Sequence, residues 1–111
     1  MRVIEVRDGE LLDGIARRAK ELGITDAAIV SLIGAADSFT VSTMPAGAPR
    51  QDTVTDYAVP AEMTGTGEIV EGVPHVHAVM AVEGDRAIAG HLHRAQIGTW
   101  FARVYLVPVS R

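Results

Sequence analysis

Residues 74–93 read PHVHAVMAVEGDRAIAGHLH, and they hold all four histidines of the 111-residue chain. Two apolar-rich runs flank Glu83-Gly84-Asp85, the pattern of two strands joined by a hairpin turn. In a strand, residues i and i+2 face the same way about 7 Å apart, so His75 with His77, and His91 with His93, each put two imidazoles on one face. The turn decides whether the two pairs share a face. A three-residue loop sets Val82 opposite Arg86, His77 opposite His91 and His75 opposite His93, with all four rings together. A two-residue Gly84-Asp85 loop shifts the register by one and sends the pairs to opposite faces. The first register is preferred because it sorts the side chains. Val76, Met80, Val82, Ile88 and Leu92 gather on one face as core, while the histidines keep the company of Val79, Ala81, Ala87 and Ala89.

Working outward, Val3–Val6 reads as a short strand, and Asp8 stands as the helix N-cap before Leu11, Leu12, Ile15, Ala16, Ala19 and Leu22 at helical spacing. Gly23 closes that helix. Glu10 and Asp13 come early in it and Arg17, Arg18 and Lys20 late, the order a helix dipole favours. After Thr25 the chain is rich in Val, Ile and Thr, broken by Gly and Pro, and predicts antiparallel strands near 26–34, 37–44, 54–64, 67–71, 75–82, 86–93 and 97–108. The stretch from Pro45 to Asp52 is the one long broken loop, either a plain connection or a lid. The expected fold class is α+β, a mainly antiparallel sheet of about seven strands with one principal N-terminal helix, in a single domain spanning 1–111.

Composition narrows the chemistry. With no cysteine, disulfides and thiolate sites are excluded, and imidazole and carboxylate are left as the strong metal ligands. The same absence fits a reducing, cytoplasmic setting. Residues 1–14 mix charges among apolar positions, unlike a signal peptide, and no apolar run reaches membrane-spanning length. Ten basic against fourteen acidic residues give a net charge of −4, the wrong sign for holding phosphate backbones unaided. Apolar residues make up 48% of a chain this small, more than a lone body readily hides, so self-association is expected.

Three neutral imidazoles with one vacant position are a known arrangement for zinc, and His75, His77 and His91 are the candidate ligands. His93 is a conditional fourth, which would close the site. Paired strand histidines also occur simply bonded to one another, to carboxylates or to backbone. Glu62, Glu68 and Glu71 precede the histidine strand. Glu62, inside the otherwise uncharged AVPAEMTG, is the candidate general base, with surface exposure as the plainer reading. Thr64-Gly65-Thr66-Gly67 lacks the lysine and following helix of a nucleotide loop and reads as a turn or bulge. Trp100, Phe101 and Tyr105 read as core or interface before they read as a stacking platform.

The chain resembles the plants-and-prokaryotes-conserved (PPC) domain family, also called PD1-like DNA-binding proteins. RDGELLDGIARRAKELGI resembles its opening turn and helix, AAIVSLIGA its first long strand, and GVPHVHAVMAVEGDRAIAGHLHRAQIG its Pro-His-x-His strand, hairpin and Gly-His-Leu strand. The last is the specific one. The resemblance implies a homotrimer of α+β subunits and, in many prokaryotic members, a metal near the subunit boundary held by residues matching His75, His77 and His91. Where many members carry Glu in a Thr-x-Glu pattern, Thr99 is followed here by Trp100 and Phe101, which implies a more apolar pocket. Plant members add an Arg-Gly-Arg-Pro segment for DNA that this sequence lacks. Three functions follow as expectations: a trimeric zinc-binding module with a small-molecule ligand, a metal-dependent hydrolytic or lyase-type enzyme, and a DNA-associated regulator using Arg17, Arg18 and Lys20 or Arg94 and Arg103. DNA binding by this chain alone is the least favoured.

Overall fold

The computed structural model describes residues 1–111. In chain order the elements are β1 (Arg2–Val6), β2 (Gly9–Glu10), α1 (Leu11–Glu21), β3 (Ala27–Ala36), β4 (Ser38–Thr43), β5 (Thr53–Tyr57), β6 (Ala61–Val70), β7 (Val73–Val82), β8 (Arg86–Ile97) and β9 (Ala102–Pro108). They form one sheet in the order β1-β9-β3-β6-β7-β8-β4-β5, with β2 paired to β8, and every pairing is antiparallel. The expected α+β class and single principal helix hold, with nine strands in place of about seven. No helix is long and apolar enough to cross a membrane.

The differences in strand bounds have local causes. Pro60, which cannot donate to a ladder, ends the expected 54–64 strand early, and Ala58–Pro60 separate β5 from β6. Strand β6 then runs unbroken through Thr64-Gly65-Thr66-Gly67, so the expected 67–71 strand is its second half; the segment is not a turn, and its pairing with β3 carries a register shift, with the extra residue between Ile29 and Leu32 of β3. Residues 98–101 form a loop instead of opening the last strand. Thr99 N–H donates to Asp37 Oδ2 at 3.1 Å and Ala35 N–H donates to the Phe101 carbonyl at 3.0 Å, holding that loop against the β3–β4 junction.

The helix is capped by Glu10, not Asp8. Gly9 and Glu10 pair with Ile97 and Gln96, which moves the helix start to Leu11. The Glu10 carboxylate then accepts from Asp13 N–H at 2.9 Å, Leu12 N–H at 3.0 Å and Ala95 N–H at 2.9 Å, tying α1 to β8. Gly23 takes the left-handed conformation just past the helix end, with φ +71°.

Helix α1 buries Leu11, Ile15 and Ala19 against one side of the sheet, where they join Ile4, Leu32, Met80, Leu92 and Val104 in the core. The body measures only 18 Å in its thin direction against 37 and 35 Å in the others, as expected of one sheet with one covering layer. Strand β7 shows the outcome residue by residue, with Val76, Ala78, Met80 and Val82 buried and His75, His77, Val79 and Ala81 exposed.

Candidate metal centre

The hairpin turn brings the histidines together. Gly84 and Asp85 adopt φ of +86° and +59°, and Val82 pairs with Arg86 across a three-residue loop. From that closure the register runs to His77 opposite His91, the shared-face alternative of the sequence. The neighbouring strand adds a second column, with Glu68 opposite His75, Thr66 opposite His77 and Thr64 opposite Val79. The exposed face is therefore a grid of short polar and small apolar side chains around the imidazoles. Gly67 makes the close strand approach possible, since a Cβ there would lie 2.0 Å from the His75 carbonyl oxygen.

His75, His77 and His91 each present a ring nitrogen within 4.8 Å of the others. Ring centroids are 5.1 Å apart for His75–His77, 4.8 Å for His75–His91 and 5.7 Å for His77–His91, with the rings strongly inclined to one another. Zinc bonds of about 2.0–2.1 Å at tetrahedral angles place ligand nitrogens about 3.3 Å apart. The three side chains are exposed or half-exposed, and small rotations cover the difference. The donor set fits a divalent transition ion: nitrogen ligands only, from a face with room above it.

Burial is the main influence that lowers the His91 pKa below the usual histidine value, followed by the charges of His75, His93 and His77, with Asp52 acting weakly in the other direction. Holding His91 neutral is what ligation needs, since a protonated imidazole has no lone pair for a metal. Beside it, Glu68 Oε2 lies 3.7 Å from His75 Nδ1, placed to receive that ring's second N–H after a slight shift.

His93 is not gathered into this group. The β7–β8 ladder ends at His77–His91 without extending to the expected His75–His93 pair. On the other side of β8, Thr40 pairs with Arg94 and Val41 with Leu92, so His93 is the extra residue of a β-bulge. Its Nε2 is 2.8 Å from the buried Ser42 hydroxyl, although its ring remains 4.8 Å from that of His91. Glu62 also stands apart. It pairs with Ala81, four residues along β7 from His77 or about 13 Å at the usual strand rise, so the carboxylate next to the imidazoles is Glu68. The site also has neighbours with no local signal in the sequence. Ser42 and Thr43 on β4, Met44 just after it and Asp52 just before β5 line a cavity of about 840 Å³ with His77 and His91, and only the pairing of β4 on β8 brings them there.

Residues 2–108 match the Plants and Prokaryotes Conserved (PCC) domain, nearly the whole chain. The chain belongs to the PCC domain family. Solved structures share the fold of this PCC domain at low sequence identity. A plant- and prokaryote-conserved protein of Pyrococcus horikoshii superposes with a TM-score of 0.83 at 21% identity, covering 99% of this chain and 79% of that one. A DNA-binding-protein candidate from Ralstonia eutropha gives 0.82 at 23%, covering 98% and 78%. A metal-containing protein from Archaeoglobus fulgidus gives 0.79 at 21%, covering 98% and 81%. No curated protein sequence matches this PCC domain.

Proposed function

We propose that this PCC domain is a metal-binding module that holds a divalent transition ion, zinc by preference, on His75, His77 and His91, and binds a small molecule beside it. The observation that carries the reading is the convergence of three ring nitrogens within 4.8 Å on the exposed face of one hairpin. The metal-containing description of the Archaeoglobus fulgidus relative lends it support. When bound, such an ion supplies a Lewis acid with a coordination position left over for a ligand. The chain's own residues do the rest: the hairpin register orients the imidazoles, burial favours the neutral form of His91, and Glu68 stands 3.7 Å from His75, within reach of its second ring nitrogen.

A metal-dependent enzyme is the second reading, favoured by the cavity that opens directly against His77 and His91. Glu62 is too far along the strand to move a proton at the imidazoles of its own chain, and Glu68 takes its place as the carboxylate to test. DNA association has less behind it. Of the cations considered for it, Arg18 is paired with Glu21, and Arg103 is paired with Glu5 while its guanidinium lies 4.3 Å from the Phe101 ring centre.

Untagged protein, stripped with chelator and titrated with zinc, tests the metal reading. Close to one ion per chain is expected, with a higher melting temperature on loading. His75→Ala and His91→Ala should each abolish tight binding, and His93→Ala should retain it. Absence of zinc uptake by the unmodified protein would sink the reading, and loss in His93→Ala equal to that in His91→Ala would show that the ligand set is wrong.

A further inference from the structure

Two polar side chains are buried in this protein, Thr40 and Ser42, both on β4 and both on the side of the sheet that carries the imidazoles. Each has one side-chain partner. The Thr40 hydroxyl donates to Asp56 Oδ1 at 2.6 Å, and the Ser42 hydroxyl lies 2.8 Å from His93 Nε2. The second contact sits at the edge of the metal centre, since Ser42 pairs directly with His91 in the β4–β8 ladder and the two side chains share a face.

The bulge in β8 explains how His93 comes to this side without joining the ligands. Leu92 and Ala95 are both buried, so the two residues between them, His93 and Arg94, face outward together. The His93 ring lies 4.8 Å from that of His91, the same separation as His75 from His91. By that spacing it is as close to His91 as a member of the set. Even so, the ring nitrogens within 4.8 Å of one another are those of His75, His77 and His91. What sets His93 apart is the hydroxyl at its Nε2. Were its ring to turn to an ion held on the other three, the Ser42 hydroxyl, 3% exposed, would lose its partner, and a buried polar group left unpaired is penalised more heavily than an average hydrogen bond is worth. With the contact kept, an ion has three protein ligands and one position for something else. With it broken, four imidazoles close the site.

We propose that Ser42 is a positioning residue that withholds His93 from the metal and so keeps one coordination position open to an outside ligand. The inference rests on the metal reading given above. Azide binding to the cobalt-loaded protein, followed in the visible spectrum, tests it on four forms: unmodified, His93→Ala, Ser42→Ala and the double variant. Asp52 and Glu68 are present in all four, so the ratios between them are free of the charge around the site. Unmodified protein and His93→Ala should bind azide alike, because His93 is a ligand in neither. Ser42→Ala removes the penalty for moving His93, so its azide binding should weaken by about five- to a hundredfold and its ligand-free cobalt spectrum should shift. The double variant should recover the spectrum and the azide affinity of the unmodified protein, which damage done by the Ser42 change itself would not allow. Should Ser42→Ala fail to fold, Ser42→Thr and Ser42→Val compare the hydroxyl present and absent at nearly equal volume. If no form takes up cobalt, the metal reading fails and this one with it. If cobalt binds while His93→Ala differs from the unmodified protein in azide affinity, while Ser42→Ala does not, or while the double variant stays as weak as Ser42→Ala, the role of Ser42 alone is overturned.

Discussion

His91 is more enclosed than the other members of its cluster, and it is the histidine whose pKa is held below the usual value, first by burial and then by the charges of His75, His93 and His77. The consequence for stability has a definite sign. The unfolded chain takes up a proton at this residue near pH 6.5, whereas the folded metal-free protein resists it until the pH is lower. Stability linked to His91 is therefore fully present above pH 6.5, is lost as the pH falls through the interval down to the folded pKa, and changes no further below it. Melting curves of metal-free protein between pH 7.5 and 5 should show the melting temperature falling on acidification, with a shallower fall in His91→Asn. An equal slope in that variant would count against the origin assigned here. At this scale the sequence was partly legible. That all four histidines share a face follows from strand periodicity and the three-residue turn, because side-chain direction in a strand is fixed by parity, while singling out His75, His77 and His91 follows from the family resemblance. The fate of His93 follows from neither. A bulge set by the pairing of β4, some fifty residues away in sequence, redirects that ring to Ser42, and no local pattern announces it.

Elements show the same division between local and long-range causes. The β7–β8 hairpin was readable because the burial of Val76, Met80, Val82 and Leu92 on one face permits one register, and a slip of a single residue would expose them all. The start of α1 was misread because Asp8 is the ordinary capping residue by composition, while the two-residue strand β2 that displaces it exists only through its pairing with β8. Glu10 consequently does two jobs at once. Its carboxylate caps the first turn through Asp13 and Leu12 and also accepts the Ala95 N–H of β8, just beyond the His93 bulge. Glu10→Ala should lower stability by about 1–3 kcal/mol, the range for a lost cap that is also a hydrogen bond from a charged group, with Glu10→Gln in between. Urea unfolding measures both. A loss within about 0.5 kcal/mol, the size usual for surface changes, would mean that the helix and β8 are held together without this contact.

Taken whole, the molecule is a sheet with its helix on one side, and the uncovered side carries both the imidazoles and a band of apolar surface. Ile33 on β3, Thr64 on β6, Val79 on β7 and Ala89 on β8 form one row across four paired strands. Ile33 is 55% exposed, and Trp100, 64% exposed, lines a second cavity with it. The apolar content of the sequence announced that surface without saying where it would lie, since composition has no direction. The antiparallel order β3-β6-β7-β8 supplies the direction. A face of this kind is costly to leave in water, and association of copies through it, as the trimer implied by the family resemblance, is the expected remedy. Sedimentation of unmodified protein should give a mass of three chains, with Trp100 emission shifted to the blue by exclusion of water. Ile33→Asp, at a position already solvent-accessible within the chain, should release monomers with red-shifted emission while retaining the circular dichroism of the fold. Because Ile33 does not line the histidine cavity, the released monomer should still take up zinc. If the unmodified protein sediments as a monomer at every concentration, with water-exposed Trp100, the apolar face is not an assembly surface. A monomeric variant that has lost its metal would instead show that the site needs groups from more than one chain.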